Sequence, residues 1–296
     1  MIQPGTLRPN DAIGLAAVSH VADPMRYAAV IRHMENMGYR VKIGANFYKD
    51  TYGYLASEEE RAVDFNALIR DPDVKMIFFG GGEGAAEILP LLDYDAIKAN
   101  PKIIASYSDG TSILNAITAK TGLVTFYGQS PSYLPGAPDY FMTHFNAHIV
   151  NGDAVDFVKS SEWKICHAGV CEGELIGGYA RNFALMLHTE YLHWQAGQTY
   201  ILFIEDCEDF SDISCVSMYL SHIEQNAPMT QIGGLLFGYY ADEAKPDLLA
   251  RLARFGAKHN VPVVYCDDFG HGMNHGILPI GRKARLDADK QTLAYL

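Results

Sequence analysis

The sequence predicts an α/β protein whose first half is a doubly wound sheet, and three observations carry that expectation. Residues 12–18 (AIGLAAV) and 103–105 are short, unbroken apolar runs, and Val74–Phe79 (VKMIFF) is apolar apart from Lys75, as expected of parallel strands covered on both faces. Between them lie stretches whose apolar residues recur every three or four positions, so that strand and helix alternate. The strands run out into glycine- and serine-rich segments, at the carboxyl ends where open α/β sheets take their ligands.

Taken in order, residues 12–18 form the first predicted strand. Asp23 and Pro24 supply an N-cap and a proline at the first helical position, Tyr27, Ile31 and Met34 fall on one face, and Gly38 ends the helix. The short strand Arg40–Ile43 completes a βαβ start. Ser57 and Glu60 make a capping box for a helix that turns Ala62, Phe65, Leu68 and Ile69 toward the sheet. Val74–Phe79 is the next central strand, followed by Gly80-Gly81-Gly82-Glu83-Gly84 and a helix over 85–92. Residues 102–114 (KIIASYSDGTSIL) then pass from a buried strand end straight into another helix. Between 150 and 173 no period is sustained, which places the domain junction there: 1–155 for the first domain, 156–172 for a linker, 173–296 for the second. In the second half, 174–178, 199–204, 235–239 and 261–265 read as strands. Residues 182–188 read as a helix, as does a stretch with Ile213, Val216, Leu220 and Ile223 on one face, capped by Ser211 or Asp209.

A chain of 296 residues with 49% hydrophobic composition has core enough to fold without staples. The five cysteines are scattered without zinc-ligand spacing and read as reduced thiols. With 35 acidic against 23 basic residues, a net charge of −12 and no Lys/Arg cluster, a nucleic-acid-binding face is not expected. No run approaches the length of a membrane span, and the opening residues lack the basic and apolar regions of a secretion signal, so the expected location is cytoplasmic.

Ser108 is the first candidate for chemistry. Ser106-Tyr107-Ser108-Asp109-Gly110 fits the nucleophile-elbow pattern G-x-S-x-G with serine in the first position. Such a turn projects the hydroxyl and leaves backbone N–H groups at the helix start for an oxyanion. The same residues also suit plain helix capping, with Ser108 or Asp109 as N-cap. Residues 80–84 let a backbone approach a ligand closely. They read as an oxyanion or substrate loop beside Ser108, as a structural turn, or as the phosphate loop of a non-enzymatic nucleotide-binding module. Glu83 and the mismatch to phosphate-loop spacings stand against the last.

Glu205 ends a buried strand and is set more rigidly than Asp206, Glu208 and Asp209, which read as a solvated helix N-terminus. His271 stands between glycines beyond the last apolar strand. With His275 and the nearby aspartates it invites a metal reading, but the glycines deny the helix that an i, i+4 histidine pair needs, so no metal or other cofactor is expected. Ser108, Glu205 and His271 together are what acyl transfer requires: a hydroxyl, a base to take its proton, and a carboxylate to fix the imidazole tautomer.

The chain resembles the L,D-carboxypeptidases of murein recycling and their relatives, the microcin C self-immunity peptidases. The likeness runs through Leu7-Arg8-Pro9-Asn10-Asp11-Ala12-Ile13, Tyr52-Gly53-Tyr54-Leu55-Ala56 with Glu60-Arg61-Ala62, Tyr107-Ser108-Asp109, Ile176-Gly177-Gly178, Leu202-Phe203-Ile204-Glu205, and Phe269-Gly270-His271 with Leu278-Pro279-Ile280-Gly281. The family's serine, glutamate and histidine fall on Ser108, Glu205 and His271. The resemblance implies a β-rich α+β second domain, a Rossmann-like first domain, a site in the cleft between them, a small peptide substrate and a homodimer. It also implies oxyanion donors from Asp109 and the Gly82 region, with Glu83 and Tyr179 bordering the substrate. Departures from the family pattern are Asn10 and Ser106 in place of glycines, Glu83 in the glycine loop, and Tyr179 where asparagine is familiar; they bear on specificity more than on chemistry. Murein tetrapeptide cleaved before its terminal D-alanine is the leading substrate expectation, with aminoacyl-nucleotide toxins as the alternative.

Overall fold

The structure, a computed structural model, describes residues 1–296. Its first sheet is built from β1 (Ala12–Ala16), β2 (Arg40–Ile43), β3 (Val74–Phe79), β4 (Ile103–Ser106) and β5 (Thr125–Tyr127), parallel throughout and laid out as β2-β1-β3-β4-β5. This order is doubly wound, and the winding reverses between β1 and β3, where a crevice opens outside the carboxyl ends. Every residue of β1, β4 and β5 is buried, as strands covered on both faces must be.

The helices form where the local signals lie. Pro24–Asn36 starts at Asp23, whose carboxylate accepts the Arg26 N–H. It buries Tyr27, Val30 and Met34, so that Val30 takes the inward position expected of Ile31, which is only partly covered. Glu58–Arg70 has both bonds of the capping box between Ser57 and Glu60. The segment after the glycine loop departs from expectation: Ala85–Leu91 is a 3-10 helix. Pro90 lies inside it and has no N–H to give an α-helical bond.

The second sheet takes β6 (Lys164–His167), β7 (Val170–Tyr179), β8 (Tyr200–Glu205), β9 (Ile232–Phe237) and β10 (Val263–Tyr265). The chain then leaves it for β11 (Leu278–Ile280), which pairs antiparallel with β5 at the edge of the first sheet, and returns as β12 (Lys283–Asp287) and β13 (Thr292–Tyr295). The order is β13-β12-β7-β8-β9-β10-β6, parallel from β7 to β10 and antiparallel toward both edges. Where the sequence shows no period, β6 lines the edge beside β10. The preceding chain is pinned by buried Asp268, whose carboxylate accepts the N–H groups of Ser160 and Ser161 and the Trp163 indole. Helix Ile213–Asn226 is capped by Asp212 rather than by Ser211 or Asp209. A continuous apolar core runs from Ala12 and Ile104 in the first sheet to Leu202 and Leu235 in the second. No helix is long and apolar enough to cross a membrane.

Candidate active site

β4 ends at Ser106, Tyr107 stays extended, and Ser108 turns sharply with φ +53°, in the left-handed region that a side chain enters at a cost. A 3-10 turn, Ser108–Gly110, then feeds helix Thr111–Thr121. Close approach of the glycine loop matters here: a Cβ on Gly81 would lie 2.7 Å from Ser108 Cβ. Neither Ser108 nor Asp109 caps its own helix. Asp109 is buried instead, its carboxylate accepting the Ala85 N–H (2.7 Å) and the Asn182 amide (2.6 Å), which ties the glycine loop to the serine turn. Burial pushes the Asp109 carboxyl up in pKa while those hydrogen bonds pull it down, and the net shift is upward.

β8 delivers Glu205 into the interior, where it is wholly buried. His271 rides on the segment that crosses from β10 to β11, and so from one sheet to the other. Its Nε2 lies 3.0 Å from Ser108 Oγ and its Nδ1 lies 2.8 Å from Glu205 Oε2. Its backbone N–H reaches the same carboxylate oxygen at 3.3 Å. Gly270 permits this closure with φ +105°; a Cβ there would stand 2.7 Å from Glu205 Oε2. The other Glu205 oxygen accepts the Tyr127 hydroxyl, which in turn accepts the Ser108 N–H at 3.1 Å. Burial disfavours the His271 imidazolium, but the charge and hydrogen bond of Glu205, aided by the charge of Asp206, outweigh it and raise the pKa above 6.5.

The remaining expected residues lie around this chain of hydrogen bonds. Tyr179 ends β7, buried, with its ring 5.0 Å from that of His271. Gly82 packs on the Ser19 carbonyl, one residue beyond the glycine that touches Ser108. Glu83 is exposed and paired with Arg181 at 2.6 Å, and that guanidinium lies over the Tyr179 ring. His275 is a pin for the His271 loop: its Nδ1 is 3.0 Å from the Gly270 carbonyl and its ring meets the Gln129 amide, and burial lowers its pKa to about 4. No group of three or more His, Cys, Asp or Glu side chains is arranged to hold a metal ion.

Four neighbours escaped the sequence reading. Tyr127 ends β5, so the strand-end rule that singled out Ser108 and Glu205 points to it as well. Tyr107 and Phe210 set their rings 5.2 and 5.6 Å from the His271 ring, one through the turn and one from an exposed loop. Asp206, grouped above with solvated carboxylates, is fully buried; one oxygen accepts the Cys207 N–H and the other has no partner. Burial first, and then the Glu205 charge, push its pKa up to about 7.

A nucleophile-type turn at the end of the parallel first sheet, facing a buried carboxylate from the β-rich second part and a histidine on the segment that joins the two sheets, defines a hydrolase-like site. The chain belongs to the LD-carboxypeptidase family: residues 13–128 match the LD-carboxypeptidase N-terminal domain and residues 172–286 the LD-carboxypeptidase C-terminal domain. The YocD protein of Bacillus subtilis strain 168 is 30% identical over 281 residues, covering 86% of each chain. A second protein of that strain, named "Probable murein peptide carboxypeptidase", is 27% identical over 301 residues, covering 98% of this chain and 93% of the other. Among solved structures, microcin C7 self-immunity protein MccF in complex with aspartyl sulfamoyl adenosine superposes with a TM-score of 0.86 at 26% identity, covering 100% of this chain and 98% of that one. MccF itself comes from Escherichia coli.

Proposed function

We propose that this peptidase is a serine carboxypeptidase that hydrolyses the C-terminal amide bond of a small peptide, with the L,D bond of murein tetrapeptide as its substrate. What supports the reading above all is the unbroken run of hydrogen bonds from Ser108 Oγ through His271, at 3.0 and 2.8 Å, to Glu205. His271 Nε2 takes the Ser108 proton as Oγ bonds to the carbonyl carbon, and Glu205 holds the imidazole with Nδ1–H toward itself. The tetrahedral oxyanion lies toward the Asp109 N–H and the glycine loop around Gly82. The Ser108 N–H is not among the donors, since Tyr127 already accepts it. His271 returns the proton to the leaving amine as the C–N bond breaks. Water, deprotonated by the same imidazole, then cleaves the acyl-serine and restores the hydroxyl.

A fluorophosphonate with peptide mapping tests the chemistry, and its adduct is expected on Ser108. An adduct on Ser106 or Ser112, or none, would overturn the assignment. Turnover of an L,D-tetrapeptide against its L,L isomer and an aminoacyl sulfamoyl-adenylate tests the substrate. The likeness to MccF motivates that last arm: cleavage of the adenylate alone would move the substrate to aminoacyl nucleotides and leave the serine chemistry intact.

A further inference from the structure

A cleft of about 400 Å³ opens at the carboxyl ends of β1 and β3, where the strand order reverses. One wall is shared with the nucleophile. Gly81, in contact with the Ser108 side chain, and Tyr107, against the His271 ring, both line it. The lining also carries Arg26, in the first turn of helix Pro24–Asn36, with His20, Ser130 and Ser132.

Arg26 has no carboxylate within ion-pair distance. Asp23, three residues earlier and also on the cleft wall, spends Oδ1 on the Arg26 backbone N–H as the helix cap. Arg26 is exposed and shares the cleft lining with His20, Tyr27 and Tyr107. His20 is not open to a ligand, since its Nε2 is engaged with the Tyr27 hydroxyl at 3.0 Å and its Nδ1 is buried against the glycine loop, whereas the Ser130 and Ser132 hydroxyls lie 2.9 Å apart on the cleft wall. Arg181, the cation nearer Tyr179, is by contrast already paired with Glu83. The cleft thus sets an unpaired planar cation and two hydroxyls in one lining with Gly81 and Tyr107, the neighbours of Ser108 and His271. A carboxylate supplies the two acceptor oxygens that a guanidinium fork matches.

We propose that Arg26, with the Ser130 and Ser132 hydroxyls, is the subsite that holds a free carboxylate of the substrate while its scissile carbonyl lies over Ser108; this rests on the peptidase reading above. The carboxylate belongs either to the leaving residue or to a side chain on the acyl part of the peptide. Both present the same group to the guanidinium.

The test uses the full chain and its Arg26→Ala and Arg26→Lys variants. The substrates are an L,D-tetrapeptide, its C-terminal amide, and the analogue amidated at its side-chain carboxylate. Wild type is expected to favour the free acid over at least one amide. Arg26→Ala should raise KM for the acid by about 10- to 100-fold, the scale of one charge-assisted hydrogen-bonded contact, and collapse the preference over that amide, with Lys restoring part of it. The amide whose disadvantage disappears identifies the carboxylate held. Fluorophosphonate labelling of Ser108 in each variant reports that fold and nucleophile survive. An acid-to-amide ratio unchanged by Arg26→Ala for both amides overturns the subsite. Absence of labelling in wild type is a separate failure, that of the serine peptidase reading, and the subsite falls with it.

Discussion

On the first sheet, Ser108 is placed by backbone and packing: a parallel strand buried along its whole length ends two residues earlier, the serine itself is forced to φ +53°, and Gly81 closes against its side chain. On the second side, Glu205 has the same kind of strand-end support, but His271 stands on a crossover segment with no regular structure. Its place is set by hydrogen bonds, two to Glu205 from its own ring and backbone, and by His275 and Asp268 pinning the segment around it. Ser108, the proposed nucleophile, is thus held sterically and His271, the proposed base, electrostatically. A steric hold fails when volume is added, and an electrostatic one when charge is removed or pH is changed.

The largest effect is expected from removing the proposed nucleophile. Ser108→Ala should lower kcat by about 10⁶, the scale of other triad knockouts, without loss of Tm, since it relieves no packing and removes only the Oγ. Near-normal turnover would assign the chemistry elsewhere. Next, Glu205→Gln should lower kcat by about 10⁴ by leaving the imidazole in the wrong tautomer. Asp206→Asn should cost far less, and the reverse ranking would exchange the two carboxylates' roles. Gly81→Ala tests the steric side with all three polar groups intact. Its methyl at 2.7 Å from Ser108 Cβ must displace one partner, and a displacement of about 1 Å is expected to cost on the order of 10²-fold in kcat. Unchanged kcat would mean that the loop yields freely and does not position the serine.

The smallest effect is a shift in pH. His271 must be neutral to accept the proton, so activity should fall as pH drops through its raised pKa, placing the acidic limb of kcat/KM above pH 6.5. Asp206→Asn removes one of the charges that raise it, and the limb should move a few tenths of a unit lower. Stability changes too. The Asp206 carboxyl, raised from 3.8 to about 7, binds protons more tightly in the folded than in the unfolded state, so it costs stability progressively as pH rises across that window. The Asn variant should therefore gain Tm relative to wild type at pH 8 and little at pH 4. An equal gain at both would point to packing instead of charge.

The amino-acid sequence by itself determined the alternation of strand and helix, the caps at Asp23 and Ser57, and the strand ends that present Ser108 and Glu205, because each depends on spacing and side-chain chemistry within a few residues. That evidence leaves both the elbow and the helix-cap readings of residues 106–110 open. What separated them was Asp109 reaching Ala85 and Asn182, and Ser108 meeting His271, partners 24, 73 and 163 residues away. Tertiary structure also decided that β11 returns to the first sheet and carries the His271 segment across the seam, that Asp206 is buried while Glu83 is exposed, and that Arg26 faces the cleft unpaired. Local signals have no term for any of these. Register at a sheet edge, desolvation of a carboxylate and the pairing of a cation are set by what the rest of the chain brings alongside.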